Sequence, residues 1–91
     1  MIYVVWDGTD TVCYCIASVE GLIGEIDSIV VTEEYRRTGI GTEMMTLALK
    51  WLENHCCDTM TLSVAEGNEA ALDFYRRFGF AEKIVLMQRT T

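Results

Sequence analysis

The chain has 91 residues, a formal net charge of -7, 51% hydrophobic residues and no proline. That length fits one small domain, and the apolar fraction is too high for a disordered chain. No apolar run approaches the roughly 20 residues that span a bilayer, and the first residues lack the basic segment that opens a signal peptide. Binding to nucleic acid needs clusters of lysine and arginine, so the acidity disfavours it. We therefore expect a single domain over residues 1–91, with no nucleic acid or membrane partner.

The charge is unevenly distributed along the chain. Residues 1–35 contain seven acidic residues and no lysine or arginine, whereas the seven acids and seven bases of residues 36–91 cancel. One interpretation is that the acidic third only keeps the surface soluble. The other is that its negative field attracts a cationic substrate.

Four cysteines occur in two close pairs, Cys13 with Cys15 and Cys56 with Cys57. Neither pair has the C-x-x-C spacing of a zinc site, and only His55 could join them, so we expect no metal. The pattern favours reduced thiols in a cytoplasmic protein. A nucleophilic cysteine would need a facing histidine, and adjacent residues on a helix do not face each other.

The first third of the chain predicts an antiparallel meander. Runs of β-branched and aromatic residues predict strands over 2–6, 11–18 and 22–31. The Asp-Gly pair within 7–10 and the Glu-Gly pair at 20–21 predict the two turns.

The third predicted strand has two different faces. Glu25 and Asp27 are expected on one face, and Ile26 and Val30 on the other. Gly24 is expected to mark a bulge or a close approach of another segment.

The periodicity then becomes helical. Ile40, Met44, Leu47 and Trp51 recur at helical spacing and predict a helix over about 39–54. Met45, Ala48 and Leu52 lie beside this stripe.

The last third predicts a strand, a helix and a strand. We expect a strand over 59–65, a helix over about 69–78 and a final strand over 82–89. Asn68 is a good N-cap for that helix, and Gly79 is placed to end it as a C′ glycine. The predicted fold class is α/β with a mixed sheet, in the order βββ-α-β-α-β.

The segment that leads into the first helix has the composition of an anion site. Backbone N–H groups from about Arg37 to Thr42 lack partners within the helix. Gly39 and Gly41 let a ligand approach the backbone closely. The side chains of Arg36 and Arg37 add positive charge, so the segment suits a pyrophosphate. It has neither a Walker A ending nor the third glycine of a dinucleotide fingerprint. On spacing alone, a plain glycine-rich turn before a helix stays the alternative.

Two motifs resemble those of a known family. R-x-x-G-x-G at 36–41, after a strand, resembles motif A of the GNAT acyltransferases. N-x-x-A at 68–71 followed by F-Y-x-x-F-G-F at 74–80 resembles motif B of the same family, and the resemblance covers residues 10–88. It implies a mixed sheet splayed between two central strands, where acetyl-coenzyme A inserts like an extra strand.

The resemblance implies a set of cofactor-binding residues. Loop N–H groups would hold the pyrophosphate and arginines would add charge, although such arginines are often only solvated surface. The end of the third strand would pair with the pantetheine arm and polarise the thioester carbonyl through a backbone N–H. Asn68 would hydrogen-bond the pantetheine arm, cap its helix, or do both. The implied set is Ile29, Val30, Val31, Arg36, Arg37, Thr38, Gly39, Ile40, Gly41, Thr42, Asn68 and Tyr75.

Three residues are implied as catalytic. Tyr75 lies where the family places its general acid, which would protonate the leaving thiolate; the alternative is a packing tyrosine. Glu25 resembles the position of the base in one branch of the family, and Asp27 would share its face. Either carboxylate could also act through water, and plain solvated strand carboxylates stay the alternative.

The implied activity is transfer of acetyl from acetyl-coenzyme A to a primary amine, by direct attack in a ternary complex. The amine would be a protein lysine, a protein N-terminus or a small cationic amine. The family normally places a strand and two helices before the meander, and the sequence starts without them. We therefore expect the acceptor side to be open, or to be completed by another chain. That chain would be a second copy, which makes a homodimer, or another protein. The alternative is an acyl-coenzyme A-binding or partner-regulating module without turnover.

Overall fold

The computed structural model describes residues 1–64, 71–83 and 87–90. It has the mixed α/β architecture that the sequence predicts, and a short 3₁₀ turn precedes the first helix. The elements in chain order are β1 (Ile2–Asp7), β2 (Asp10–Glu20), β3 (Ile23–Val31), the 3₁₀ turn (Glu33–Tyr35), α1 (Ile40–Asn54), β4 (Thr59–Leu62) and α2 (Leu72–Arg76).

The strands form one sheet in the order β1-β2-β3-β4. The first three strands are antiparallel, as predicted, and β4 runs parallel to β3. Gly8 and Gly21 occupy the two tight turns with φ of 63° and 60°. Positive φ strains residues that carry a Cβ, so glycine suits both turns.

A bulge in β3 reverses which side chains face the core. Ile16 pairs with Ser28 while its neighbour Ala17 pairs with Ile26, so Asp27 is an extra residue on β3. The insertion shifts the alternation by one residue. Ile26 is buried but Val30 is 39% exposed. The prediction that these two side chains share a face is therefore wrong.

Helix α1 packs on one face of β2 and β3 and forms the core with them. The buried side chains are Val12, Cys13, Cys15, Ala17, Ile26, Met44, Met45, Ala48 and Leu52. The burial of Cys13 and Cys15 confirms that they share a strand face. The buried stripe of α1 is rotated from the predicted one, since Leu47 is 41% exposed. Gly24 marks a close approach, because a Cβ there would lie 2.7 Å from Leu52 Cδ2.

Helix α2 ends as its sequence predicts. Gly79 has a φ of 91° and its N–H donates to the Arg76 carbonyl, while the N–H of Phe80 donates to the Tyr75 carbonyl. This pair of bonds is a Schellman motif, which satisfies the last carbonyls of a helix.

The predicted boundaries of the last third differ from those of the structure. Strand β4 ends at Leu62, whereas the prediction continued to residue 65. Residues 82–83 and 87–89 of the predicted final strand are not in a strand. Residues 65–70, 84–86 and 91 lie outside the described part of the chain, and Asn68 with the predicted start of the second helix is among them. Within the described ranges, no helix combines the length and the apolar character needed to cross a bilayer.

Candidate functional site

A cleft opens where β3 and β4 separate. The two strands pair only from Ile23 to Ile26 on β3 and from Thr59 to Leu62 on β4. Beyond that point a space of about 170 Å³ lies between them. It is lined by Ile26, Asp27, Ser28, Ile29, Leu62, Ser63, Val64 and Tyr75.

The bulge at Asp27 explains why the strands separate at this point. A bulged strand bends and twists more strongly than a regular one, which carries it away from its neighbour. The extra residue follows Ile26 directly, and Ile26 is the last residue of β3 that pairs with β4. The backbone of β3 beyond the bulge is thereby left without β4 as a partner. An extended ligand could pair there in the manner of a strand.

Tyr75 reaches the cleft from α2. The ring is half-buried and makes an edge-to-face contact with Phe74, with ring centroids 5.4 Å apart. Burial raises the pKa of the Tyr75 hydroxyl, and the nearby Cys15 thiol raises it further. The hydroxyl is therefore protonated at neutral pH and can donate a hydrogen bond or a proton to a group in the cleft.

The two candidate carboxylates differ in position. Asp27 is exposed and lines the cleft together with Tyr75. Glu25 lies before the bulge, where its backbone is paired with Ser18 on one side and Thr61 on the other. Its side chain is exposed and does not line the cleft. The structure thus brings Asp27, rather than Glu25, together with Tyr75.

The predicted anion site lies at the start of α1. Gly39 is the N-cap with a φ of 88°, and its carbonyl accepts the N–H of Glu43 at 3.1 Å. The helical N–H groups of residues 40–42 come before that first bond, so they point out of the helix end. Arg37 also has a positive φ, 66°, which costs about 1–2 kcal/mol for a residue with a Cβ.

Three side-chain hydrogen bonds hold this loop. Thr38 Oγ1 donates to the Tyr35 carbonyl at 2.5 Å. The Tyr35 hydroxyl donates to the Asp7 carboxylate, which raises the pKa of Tyr35. Arg36 Nε donates to the Val31 carbonyl at 3.2 Å. The sequence predicted Arg36 as a charge for the pyrophosphate, and this bond shows that it also connects the loop to the end of β3.

Gly41 connects the loop to the rest of the site. A Cβ at this position would lie 3.6 Å from Phe74 Cζ and 3.7 Å from Val31 Cγ2. The start of α1 therefore packs between α2 and the end of β3. The anion site and the cleft are joined through Val31 and Phe74.

The predicted site residues are not all in one place. Ile29 lines the cleft, whereas Val30 is exposed on the other face of the sheet. Ser28 and Ser63 line the cleft and were missed by the sequence analysis. Ser28 could have been found by its position beside Asp27, but a lone serine after a short strand gave no signal for Ser63.

A parallel strand pair that splays beside a glycine-rich helix start defines a class of proteins known from solved structures. The chain matches an aminoglycoside N-acetyltransferase AAC(6')-Iy, solved in complex with CoA, with a TM-score of 0.76 at 18% identity over 97% of this chain and 73% of that one. It also matches the ribosomal-protein-S18-alanine N-acetyltransferase from Escherichia coli, with a TM-score of 0.76 at 25% identity over 87% of this chain and 51% of that one. The fold is that of the N-acetyltransferases.

The sequence identifies the family directly. The model of the Acetyltransferase (GNAT) family matches residues 1–80, so the chain belongs to that family, as the motifs predicted. An N-alpha-acetyltransferase of Sulfurisphaera tokodaii is 38% identical over 64 residues, which are 69% of this chain and 38% of that protein. An uncharacterised N-acetyltransferase of Methanocaldococcus jannaschii is 33% identical over 75 residues, 81% of this chain and 33% of that protein. The chain thus spans about a third of the length of these curated relatives.

Proposed function

We propose that the chain is the acetyl-coenzyme A-binding unit of an N-acetyltransferase that acetylates a primary amine. The observation that carries the proposal is the cleft between β3 and β4, with Tyr75 on its wall and the start of α1 beside it. In the proposed complex the pantetheine arm lies along residues 29–31, and the pyrophosphate lies at the N–H groups of residues 37–42. A helix start with free N–H groups favours an anion.

The chemistry needs three events, and the chain has groups for each. A backbone N–H of residues 29–31 would polarise the thioester carbonyl as the tetrahedral oxyanion forms. Tyr75 would protonate or hydrogen-bond the departing thiolate of coenzyme A, because its raised pKa keeps the phenol protonated. Asp27 would accept the proton of the incoming ammonium, directly or through water, because it lies in the same cleft.

Direct attack by the amine is favoured over an acyl-cysteine intermediate. Cys15 is close enough to Tyr75 for its charge to act on that residue. It is fully buried, and burial is the largest of the causes that raise its pKa. A thiol must ionise to attack, so a buried cysteine with a raised pKa is a poor nucleophile.

The proposed acceptor is a cationic amine, which is the N-terminus of a protein, the side chain of a lysine or the amino group of a small molecule. The carboxylate in the cleft and the seven acids of residues 1–35 support this choice, because a negative field raises the local concentration of a cation. The Sulfurisphaera tokodaii relative, named an N-alpha-acetyltransferase, supports a peptide N-terminus in particular. Free thiols at all four cysteines, which lie within the described ranges, are compatible with a reducing compartment such as the cytoplasm.

The alternative is an acyl-coenzyme A-binding or partner-regulating module without turnover. The exposure of Asp27 supports it, because the carboxylate that would act as the base is open to water rather than enclosed. Release of free thiol from acetyl-coenzyme A, measured with a panel of cationic, neutral and acidic amines, separates the two functions. Thiol release with a cationic amine supports the enzyme, and binding of coenzyme A without release for any amine supports the module.

A further inference from the structure

A hydrogen bond between two side chains connects the loop before α1 to the hairpin of β1 and β2. We call residues 32–39, which lie between the end of β3 and the start of α1, the α1 loop. The hydroxyl of Tyr35 in this loop donates to the carboxylate of Asp7, the last residue of β1. The two residues are 28 positions apart in the sequence. Among the residues that the structure describes, no other hydrogen bond joins the α1 loop to β1.

Tyr35 is bonded through each of its polar groups. Its N–H donates to the Thr32 carbonyl at 3.0 Å, and its carbonyl accepts the Thr38 hydroxyl at 2.5 Å. Its ring is half-buried and packs against the core. A displacement of the Tyr35 side chain therefore also displaces the backbone of the α1 loop on both sides of it.

The backbone that follows Tyr35 is strained. Arg37 has a φ of 66°, a left-handed conformation that is unfavourable for a residue with a Cβ. Such conformations persist only where the surrounding structure determines them. In the proposed complex the N–H groups of residues 37–42 bind the pyrophosphate. The conformation of this backbone thus decides how well those N–H groups converge on the anion.

The acidic residues around Tyr35 are unusual neighbours for an anion site. The hydrogen bond to Asp7 raises the pKa of Tyr35, and the charges of Glu34 and Asp10 raise it further. A carboxylate repels a nearby pyrophosphate, so charge alone predicts that removal of any of these acids strengthens the binding of coenzyme A. A role of Asp7 in holding the α1 loop predicts weaker binding when Asp7 is removed. The two effects therefore have opposite signs for this residue.

We propose that Asp7 and Tyr35 are positioning residues for coenzyme A, because their hydrogen bond holds residues 37–42 in the conformation that binds the pyrophosphate. The identity of the ligand rests on the proposed function, whereas the effect of the bond on the loop does not. Neither residue lines the cleft, so neither takes part in the acetyl-transfer step itself.

Four variants separate the positioning effect from the effect of charge. Tyr35→Phe removes the hydroxyl and retains the ring, and Asp7→Ala removes the acceptor together with its charge. Asp7→Asn removes the charge but keeps an amide oxygen that can accept the same hydrogen bond. Asp10→Ala is the matched control, because it removes a charge that acts on Tyr35 and leaves the bond to Asp7 in place.

Calorimetric titration with coenzyme A measures the affinity of each variant. We expect Tyr35→Phe and Asp7→Ala each to raise Kd by about three- to tenfold, as loss of one hydrogen bond does. The double variant should bind no more weakly than Asp7→Ala, because both changes remove the same bond. Asp7→Asn and Asp10→Ala should bind as tightly as wild type or more tightly. The kcat of Tyr35→Phe at saturating acetyl-coenzyme A should stay within about twofold of wild type.

NMR order parameters of the free protein test the loop without a ligand. In Tyr35→Phe and Asp7→Ala, the order parameters of residues 36–39 should fall below the value of about 0.85 that a rigid backbone has. In Asp7→Asn they should match wild type, and those of β2 should be unchanged in every variant.

Three results would overturn the proposal. They are an Asp7→Ala variant that binds coenzyme A as tightly as wild type or more tightly, a Tyr35→Phe variant with unchanged Kd, and unchanged order parameters in both. If wild type binds no coenzyme A, the proposed function fails, and the order parameters alone decide whether the bond fixes the loop. If circular dichroism shows that Asp7→Ala does not fold, Tyr35→Phe and Asp7→Asn provide the same comparison.

Discussion

Replacement of Tyr75 by phenylalanine tests the proposed acid most sharply. The Tyr75 ring is half-buried and packs against Phe74. Phenylalanine keeps the ring and this contact, so the substitution removes only the hydroxyl. A hydrogen bond to a group that becomes charged is worth about 1.5–3 kcal/mol. Loss of that bond in the transition state lowers kcat by about 10- to 150-fold. Because the thiolate charge develops after binding, KM for acetyl-coenzyme A should change much less.

The assay is steady-state thiol release by the folded variant with an acceptor that the wild type uses. Tyr14→Phe is a matched control, because it removes a hydroxyl from a half-buried tyrosine that does not line the cleft. It should retain kcat. If Tyr75→Phe retains kcat as well, Tyr75 is a packing residue and the proton comes from water or another group.

The raised pKa of Tyr75 adds a pH dependence to the same comparison. Burial raises this pKa above the value of about 10 that an unfolded tyrosine has. The stabilisation by the protonated phenol is therefore present below about pH 10 and is lost as the pH rises through the folded pKa. Denaturant titrations across the alkaline range should show a smaller loss of stability for Tyr75→Phe than for wild type. Equal losses would contradict a buried hydroxyl.

Further predictions follow from the loop, the core and the charge distribution. Gly41→Asp should weaken coenzyme A binding by more than about tenfold, since a like charge near the pyrophosphate costs about 1–4 kcal/mol; calorimetric titration checks this, and Gly41→Asn separates charge from size. Gly24→Ala should lower the free energy of unfolding by about 1–3 kcal/mol in urea titrations, because the added Cβ would overlap buried Leu52. Gly41→Ala, whose Cβ makes only ordinary contacts, should cost less, and equal losses would contradict the close approach. Mass spectrometry after brief alkylation should find exposed Cys56 modified well before Cys13 and Cys15, whose pKa values are raised by burial; early modification of the latter pair would contradict their burial. For a cationic acceptor, kcat/KM should fall as salt rises, because salt screens charges beyond about 8–10 Å, and a salt-independent rate would remove the steering role of the acidic third.

The sequence predicted the elements that have strong local signals. The hairpin turns at Gly8 and Gly21 and the helix end at Gly79 depend on positive φ, which glycine adopts readily. The motif around residues 36–41 located the start of α1. In these places a few neighbouring residues determine the structure, so the sequence alone is enough.

The errors arose where distant segments decide the structure. The bulge at Asp27 depends on how β3 pairs with β2, and no residue type announced it. That bulge reversed the face of Val30 and moved Asp27, but not Glu25, into the cleft. The buried stripe of α1 was displaced for a similar reason, since packing on β2 and β3 selects which of two adjacent apolar stripes is covered. The bond from Arg36 to the Val31 carbonyl joins two segments through a turn, and composition alone does not reveal it.

Amide chemical shifts during a titration with coenzyme A test the central claim most directly. The account predicts large shifts for residues 37–42, whose N–H groups would bind the pyrophosphate, and for residues 29–31, which would pair with the pantetheine arm. Tyr75 should shift with them, while Ile2 and Val4 of β1, which do not line the cleft, should stay unchanged. Saturable shifts confined to other parts of the chain, or none at millimolar coenzyme A, would contradict the assignment of the cleft and the loop as the cosubstrate site.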